Sequence, residues 1–157
     1  ALVCFSWVIF LTWLRFTPLS LSFSIPTMTG EPTLSIPELA INLKLITAEV
    51  SKNHWPVSSS GLIHVLGSPI PGDPGNSIVY GHNWHNLLGN LKKAHVGQII
   101  ETRSENSEVK KFIVEKVSIV SPQDTQLLNS TSVPTLTVYT CTGFLDTKRL
   151  VVTATLL

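Results

Sequence analysis

From Thr33 to the end of the chain, short apolar runs rich in β-branched residues alternate with turn residues. Eight segments follow this pattern: TLSIPEL, LKLITAEV, GLIHVLG, SIVYGH, QIIETRS, VKKFIVEKVSIV, TLTVYTC and KRLVVTATL. Runs of this kind separated by turns are typical of strands, and eight of them predict an all-β sandwich or barrel. The segment IPGDPGN, between the third and fourth runs, carries two Pro-Gly turn signals. Helical propensity is confined to WHNLLGNLKKA, about residues 84–94, with a turn predicted at DTQLLN.

The first fourteen residues, ALVCFSWVIFLTWL, carry no charge and predict a membrane-embedded segment. A spanning helix needs about twenty apolar residues, so we extend it past a snorkelling Arg15 to Phe23. We expect an anchor at 1–23 whose N-terminal part is missing, a linker at 24–32 and a catalytic domain at 33–157. A cleaved signal peptide and a buried core helix are the alternatives. The segment SFSIPT lacks a clear small-x-small cleavage site, which favours an uncleaved, single-pass anchor with the domain outside the cytoplasm.

The composition indicates one domain with a hydrophobic core, because 43% of the 157 residues are hydrophobic and 13% are charged. The formal net charge is +1 and the basic residues are scattered. Charge therefore gives no case for a nucleic-acid partner.

The two cysteines have different settings. Cys4 lies in the apolar N-terminal run, where a thiol is most often a small hydrophobic group. Cys141 ends a predicted strand in a domain expected outside the cytoplasm, where unpaired cysteines tend to be oxidised unless they have a role. Cys141 is therefore a candidate nucleophile.

The spacing of the last two predicted strands places an arginine opposite Cys141. If residues 135–141 and 148–155 form a hairpin centred near Leu145, Cys141 lies opposite Arg149 on the same face of the sheet; a one-residue slip would separate them. Positive charge favours the nucleophilic thiolate. A guanidinium also suits a substrate carbonyl or an oxyanion, although it cannot act as a base.

A histidine is the usual acid and base, and His82 is placed where the run NSIVYGH opens into a loop. His85, three residues on, raises a zinc alternative, but no convincing third and fourth ligands follow. His54 and His95 are typical of loop and helix-end residues, and His64 of a satisfied strand histidine.

Three motifs in order resemble the sortases, membrane-anchored cysteine transpeptidases of bacterial surfaces. They are LGSPIPGDPGNSIVYGHNW, then LTVYTC, then Arg149, and the likeness extends from about Ser35 to the C-terminal region. The family motif is T-L-x-T-C, and this chain has Val138 in place of the leucine. The resemblance implies an eight-stranded β-barrel, here with one or two short helices.

The resemblance also implies roles for individual residues. Cys141 would be the nucleophile, His82 the general acid and base, Arg149 the holder of substrate and oxyanion, and Thr140 a substrate-binding residue. The implied reaction cleaves an LPXTG-like sorting signal of a surface protein through a thioester. The acyl group then passes to an amine, such as a peptidoglycan stem or a pilin lysine.

Several features remain open in the sequence. Some sortases bind calcium, but Glu101, Glu105 and Glu108 lack a spacing that assigns them as ligands, so no cofactor is predicted. The segment at 121–134, where the family grips its signal, reveals no substrate motif. Asp146 is a candidate to orient His82, although a solvated turn residue is the better interpretation. A cysteine peptidase that releases the free acid and a non-catalytic, membrane-tethered binding barrel are the alternative functions.

Overall fold

The computed structural model describes residues 30–51 and 54–157. All eight predicted runs form strands, which confirms the all-β prediction. The strands are β1 (Thr33–Ile36), β2 (Ile41–Ala48), β3 (Leu62–Val65), β4 (Asn76–Gly81), β5 (Ile99–Arg103), β6 (Val109–Val120), β7 (Thr135–Thr142) and β8 (Lys148–Leu156).

The strands close into a barrel in the order β1-β2-β3-β4-β7-β8-β6-β5, with β5 returning to β1. The β2–β3 and β4–β7 pairs are parallel, and the other pairs are antiparallel. The predicted eight-stranded barrel is therefore confirmed. Its parallel β4–β7 pair joins two strands that are far apart in the sequence, and this pair carries the candidate site.

The core fills the inside of the barrel because successive side chains of a strand point to opposite faces. In β7, for example, Leu136 and Val138 are fully buried in the core, and Val152 and Ala154 of β8 pack in the same cluster. Phe112 of β6 is the bulkiest of the fully buried side chains. The outward-facing side chains at the ends of β4, β7 and β8 can therefore form a site outside the core.

The predicted helix at 84–94 is wrong as an α-helix. The chain makes turns as far as Leu88 and then a 3-10 helix at Gly89–Lys93. The carbonyl of Trp84 accepts the N–H groups of both Leu87 and Gly89 (2.9 and 2.8 Å), so the regular i→i−4 ladder never starts. Three further 3-10 segments, Pro37–Leu39, Gln126–Leu128 and Phe144–Asp146, complete the short helical elements of the described residues.

The predicted anchor at 1–23 and most of the predicted linker at 24–32 lie outside the described residues. None of the helices in the part of the chain that the structure covers has the length and apolar character needed to cross a membrane.

Candidate active site

The candidate catalytic residues lie in one row across three neighbouring strands, β4, β7 and β8. Cys141 of β7 pairs directly with Arg149 of β8, which confirms the predicted hairpin register. On the other side of β7, Gly81 pairs with Thr140 in the parallel β4–β7 ladder. His82 is the next residue after Gly81, so it leaves β4 level with Cys141. The fold therefore brings together the three residues that the sequence singled out.

A cleft of about 380 Å³ opens over this row. Its floor is formed by alternate residues of the strands, since positions two apart in a strand share a face. Tyr139 and Cys141 come from β7, Val151 and Arg149 from β8, and Tyr80 lies two residues before His82 at the end of β4. Its walls include Trp55, Val57 and residues of the β6–β7 loop (121–134): Ser121, Pro122, Asp124, Thr125, Leu127 and Leu128.

Cys141 is a free, half-buried thiol at the bottom of this cleft. The guanidinium of Arg149 is held by two backbone carbonyls at its own turn: Nη1 donates to the oxygen of Asp146 at 2.9 Å and to that of Lys148 at 3.0 Å. Within residues 30–51 and 54–157, its Nε and Nη2 groups make no hydrogen bond. Part of the fork is therefore fixed, and part is available to a ligand in the cleft.

The backbone carbonyl of Asp146 accepts a hydrogen bond from Arg149, and Asp146 lies exposed in the turn between β7 and β8. This placement agrees with a solvated turn residue. His82 is oriented in another way, because its ring stacks on that of Trp84.

Thr140 differs from the other predicted site residues. Its side chain is only 2% exposed, and its hydroxyl donates to the carbonyl oxygen of Gly81 at 2.8 Å. The side chain thus ties β7 to β4 directly below His82 and Cys141. A substrate contact by Thr140 would have to use its backbone, and its side chain is a support for the site.

Three aromatic rings form the apolar side of the cleft. Tyr80 and Tyr139 stack with centroids 5.3 Å apart, and Trp55 meets them edge-on at 5.4 and 6.4 Å. The Tyr80 hydroxyl donates to the carbonyl of Pro56 at 2.6 Å, which holds the Trp55 segment against the sheet. Burial raises the pKa of Tyr80. Burial and the neighbouring Tyr80 also raise the pKa of Tyr139, against the opposing charge of Arg149. Both phenols therefore stay neutral at physiological pH.

The β6–β7 loop is fastened to the barrel by a buried asparagine. Asn76 is 4% exposed, and its amide nitrogen donates to the carbonyls of Leu127 and Asn129 at 3.0 and 3.1 Å. Its amide oxygen accepts the hydroxyl of Thr137 at 2.7 Å. This polar group fixes the loop that forms a wall of the cleft.

The other histidines lie elsewhere. His64 is 7% exposed in β3, with Nε2 at 3.0 Å from the carbonyl of Pro69, which confirms a satisfied strand histidine. His95 is exposed and lies 3.3 Å from Glu38. His85 is exposed. Among the residues that the structure places, no three His, Cys, Asp or Glu side chains cluster closely enough to hold a metal ion.

Two of the three glutamates considered as calcium ligands lie beside lysines. Glu101 pairs with Lys111 at 3.0 Å, and Glu108 lies 3.9 Å from Lys110. These are partly or largely exposed ion pairs of the β5–β6 hairpin, so calcium stays unassigned.

Sequence reasoning missed Trp55, Tyr80 and Tyr139 as parts of the site. The two tyrosines could have been found, because each lies two residues before a predicted catalytic residue and therefore shares its face. Trp55 gave no such signal, since it reaches the cleft from the long connection between β2 and β3.

A comparison with protein-family models identifies one family for this chain. The family model described as "Sortase domain" matches residues 34–157. A comparison with curated protein sequences gave no match.

Solved structures of sortases share the fold. Sortase A from Corynebacterium diphtheriae is 27% identical, with a TM-score of 0.71 and coverage of 81% of this chain and 60% of that chain. Sortase C1 from Streptococcus agalactiae is 29% identical (TM-score 0.71, 82% and 68% coverage), and a Clostridium perfringens sortase D5 transpeptidase is 26% identical (TM-score 0.69, 82% and 79% coverage). The chain thus spans 60 to 79% of the lengths of these three proteins. With the barrel, the row of three residues and a family model that covers most of the chain, we conclude that this protein belongs to the sortase family.

Proposed function

We propose that this protein is a cysteine transpeptidase that cleaves an LPXTG-like sorting signal and joins its acyl part to an amine. The observation that carries the proposal is the row formed by His82, Cys141 and Arg149 on the floor of one cleft. A nucleophile, a proton carrier and a fixed cation are the three groups that acyl transfer through a thioester requires.

In the first half of the proposed reaction, the Cys141 thiolate attacks the carbonyl carbon of the Thr-Gly or Thr-Ala bond. The carbonyl electron pair moves to oxygen, and the free N–H groups of Arg149 stabilise the oxyanion. As the tetrahedral intermediate collapses, the C–N bond breaks and His82 gives its proton to the leaving amine. The product is a thioester on Cys141.

In the second half, an amine attacks the thioester carbonyl and loses a proton to His82. The C–S bond then breaks, so that a new amide leaves and Cys141 returns as a thiolate. The cycle consumes no water and leaves His82 protonated, as it began. A peptidoglycan stem or a pilin lysine is the amine we propose, and a surface protein with a C-terminal sorting signal is the acyl donor.

We further propose that residues 1–23 anchor the protein in the cell membrane, with the domain outside the cytoplasm. The apolar run at the start of the chain and the membership of the sortase family support this location. Protease added to intact cells should degrade the domain if it faces outward, and protection of the domain would contradict the proposal.

Mass analysis of products tests the reaction. The full chain, in mild detergent, is incubated with a library of LPXTG-like peptides and an amine acceptor. We expect an amine-joined product, and we expect Cys141→Ala, His82→Ala and Arg149→Ala each to abolish or strongly reduce it. His85→Ala and Lys148→Ala are matched controls, because both residues are exposed and next to the site in sequence.

Three results would contradict the proposal. Free acid as the sole product, with the amine in excess, would indicate a cysteine peptidase. Cleavage that is unchanged in Cys141→Ala would show that another group is the nucleophile. No cleavage together with tight peptide binding would favour a non-catalytic binding barrel.

A further inference from the structure

The ring of His82 has an unusual neighbour. It stacks on the indole of Trp84 with centroids 4.2 Å apart and planes only 4° from parallel. Among the described residues, the hydrogen bonds made by histidine rings belong to His64 and His95, and neither ring nitrogen of His82 makes one within that part of the chain. Stacking is therefore the contact that orients this imidazole.

The loop after β4 is built to hold Trp84 in that place. The carbonyl of Trp84 accepts two backbone N–H groups, from Leu87 and Gly89, and the Leu88 N–H returns to the carbonyl of His82 at 3.1 Å. Leu87 and Leu88 are buried at 2% and 0% exposure, so the loop is pinned to the core.

Gly89 permits this close approach. A Cβ atom at that position would lie 2.7 Å from the carbonyl oxygen of Trp84, which is shorter than a real contact allows. The backbone of Trp84 is thus fixed although its side chain is 48% exposed. An exposed tryptophan held by a buried loop is better explained by a contact it must make than by packing.

A parallel stack has a chemical consequence for a proton carrier. It covers one face of the imidazole and leaves both edge nitrogens free to reach the cleft. The face of the indole is also electron-rich and attracts a cation, so the contact can persist while the imidazole carries the proton that it must donate. The other titratable or charged residues lining the same cleft are Tyr80, Tyr139, Cys141, Arg149 and Asp124.

We propose that Trp84 is the positioning residue of His82. Its aromatic face orients the imidazole, as the carboxylate does in a Ser-His-Asp triad. The inference rests on the proposed function, because it explains how His82 is held in position for the proposed proton transfer. Trp84 does not contact the reacting atoms in this role.

A double-mutant cycle tests the proposal on the full chain. The probes are an LPXTG-like peptide with its Thr-Gly amide and the matching 4-nitrophenyl ester at the threonine carboxyl. The ester needs little proton donation, because 4-nitrophenolate leaves unaided. We expect Trp84→Ala to lower kcat on the amide about tenfold, a fraction of the usual general-acid contribution, and to change ester turnover about twofold at most.

Three comparisons make the result specific. Trp84→Phe keeps an aromatic face and should retain most of the amide activity. Gly89→Ala should reproduce the Trp84→Ala loss by displacing the backbone of Trp84. In a His82→Ala background, Trp84→Ala should have no further effect. An equal loss on amide and ester, or the same loss in the His82→Ala background, would overturn the proposal.

Proton NMR gives a readout that does not depend on turnover. Ring current from the indole should shift the ring protons of His82 upfield, and the shift should vanish in Trp84→Ala and largely persist in Trp84→Phe. The His82→Ala spectrum assigns these signals, and His85→Ala is the control. Unshifted His82 signals in the wild type would overturn the inference. If the wild type shows the upfield shift but joins no peptide to an amine, the proposed function is wrong and the contact between Trp84 and His82 still stands.

Discussion

The guanidinium of Arg149 is fixed on one side by its own turn. Two turn carbonyls hold Nη1, and this leaves the rest of the planar fork for the cleft. A lysine could keep the positive charge, but its compact ammonium lacks a second set of donors in a fixed direction.

We therefore expect Arg149→Lys to lower kcat/KM on a sorting-signal peptide by about 10²–10³-fold, the usual cost of losing one oxyanion donor. Steady-state kinetics measures the loss, and Lys148→Ala is the control for a substitution at the neighbouring exposed position of the turn. Activity of Arg149→Lys within a few-fold of the wild type would show that charge alone is sufficient.

The buried phenol of Tyr139 makes a prediction about alkaline pH. Its pKa is raised in the folded state, mainly by burial, so the folded protein keeps a proton that the unfolded chain releases near pH 10. Stability is unaffected below that pH and falls as pH rises above it, by up to about 1.4 kcal/mol per pH unit for one group.

We expect Tyr139→Phe to weaken this alkaline loss of stability. Urea midpoints measured between pH 9 and pH 11.5 give the comparison. Equal slopes in the wild type and in Tyr139→Phe would show that the phenol ionises in the folded protein as it does in the unfolded chain.

Among the elements, the β6–β7 loop depends most on a single side chain. Asn76 is buried and satisfies two loop carbonyls and the hydroxyl of Thr137. Removing its amide leaves polar groups without partners, at about 1–3 kcal/mol.

We expect Asn76→Ala to raise KM for peptide more than it lowers kcat, because the loop forms a wall of the cleft and carries none of the reacting groups. Hydrogen exchange should show lost protection in the described residues 121–134. Asn90→Ala is a matched control, since Asn90 donates to the carbonyl of Leu39, which is not among the residues lining the cleft. If KM stayed constant while kcat fell, the loop would have to act on the chemistry itself.

The β7–β8 hairpin and the β4–β7 pair show what the sequence could predict. The hairpin is local, so counting outward from Leu145 was enough to place Cys141 opposite Arg149. The β4–β7 pair joins strands separated by β5 and β6, and no local pattern fixes its parallel register. His82 was selected from its place at the end of a predicted strand and given its role by the family resemblance, but its alignment with Cys141 was not predicted. Trp55 and the fastening of the loop by Asn76 were not predicted either. The helical propensity at about 84–94 gave turns and a 3-10 helix instead of an α-helix, because this segment buries Leu87, Leu88 and Leu91 against the core and packing overrides local propensity.

At the scale of the whole molecule, stability depends on the interior of the barrel. Phe112 is fully buried, whereas Phe144 at the β7–β8 turn is 85% exposed. We expect Phe112→Ala to lower the free energy of unfolding by about 3–5 kcal/mol, through lost apolar burial and a cavity. Phe144→Ala, the same change at the surface, should cost about 0.5 kcal/mol or less. Denaturant titration measures both, and similar costs at the two sites would contradict the assignment of the core.

Closure of the barrel also limits how a peptide can be recognised. A chain that binds by strand addition needs a sheet edge with unpaired N–H and C=O groups. Here β7 is already paired with β4 on one side and β8 on the other, and β5 and β1 seal the remaining seam. A substrate that reaches Cys141 must therefore lie across the outer face of the strands and be selected by the side chains it touches. Exchanging loop and cleft residues should consequently change which signal is accepted while leaving the backbone of the barrel intact.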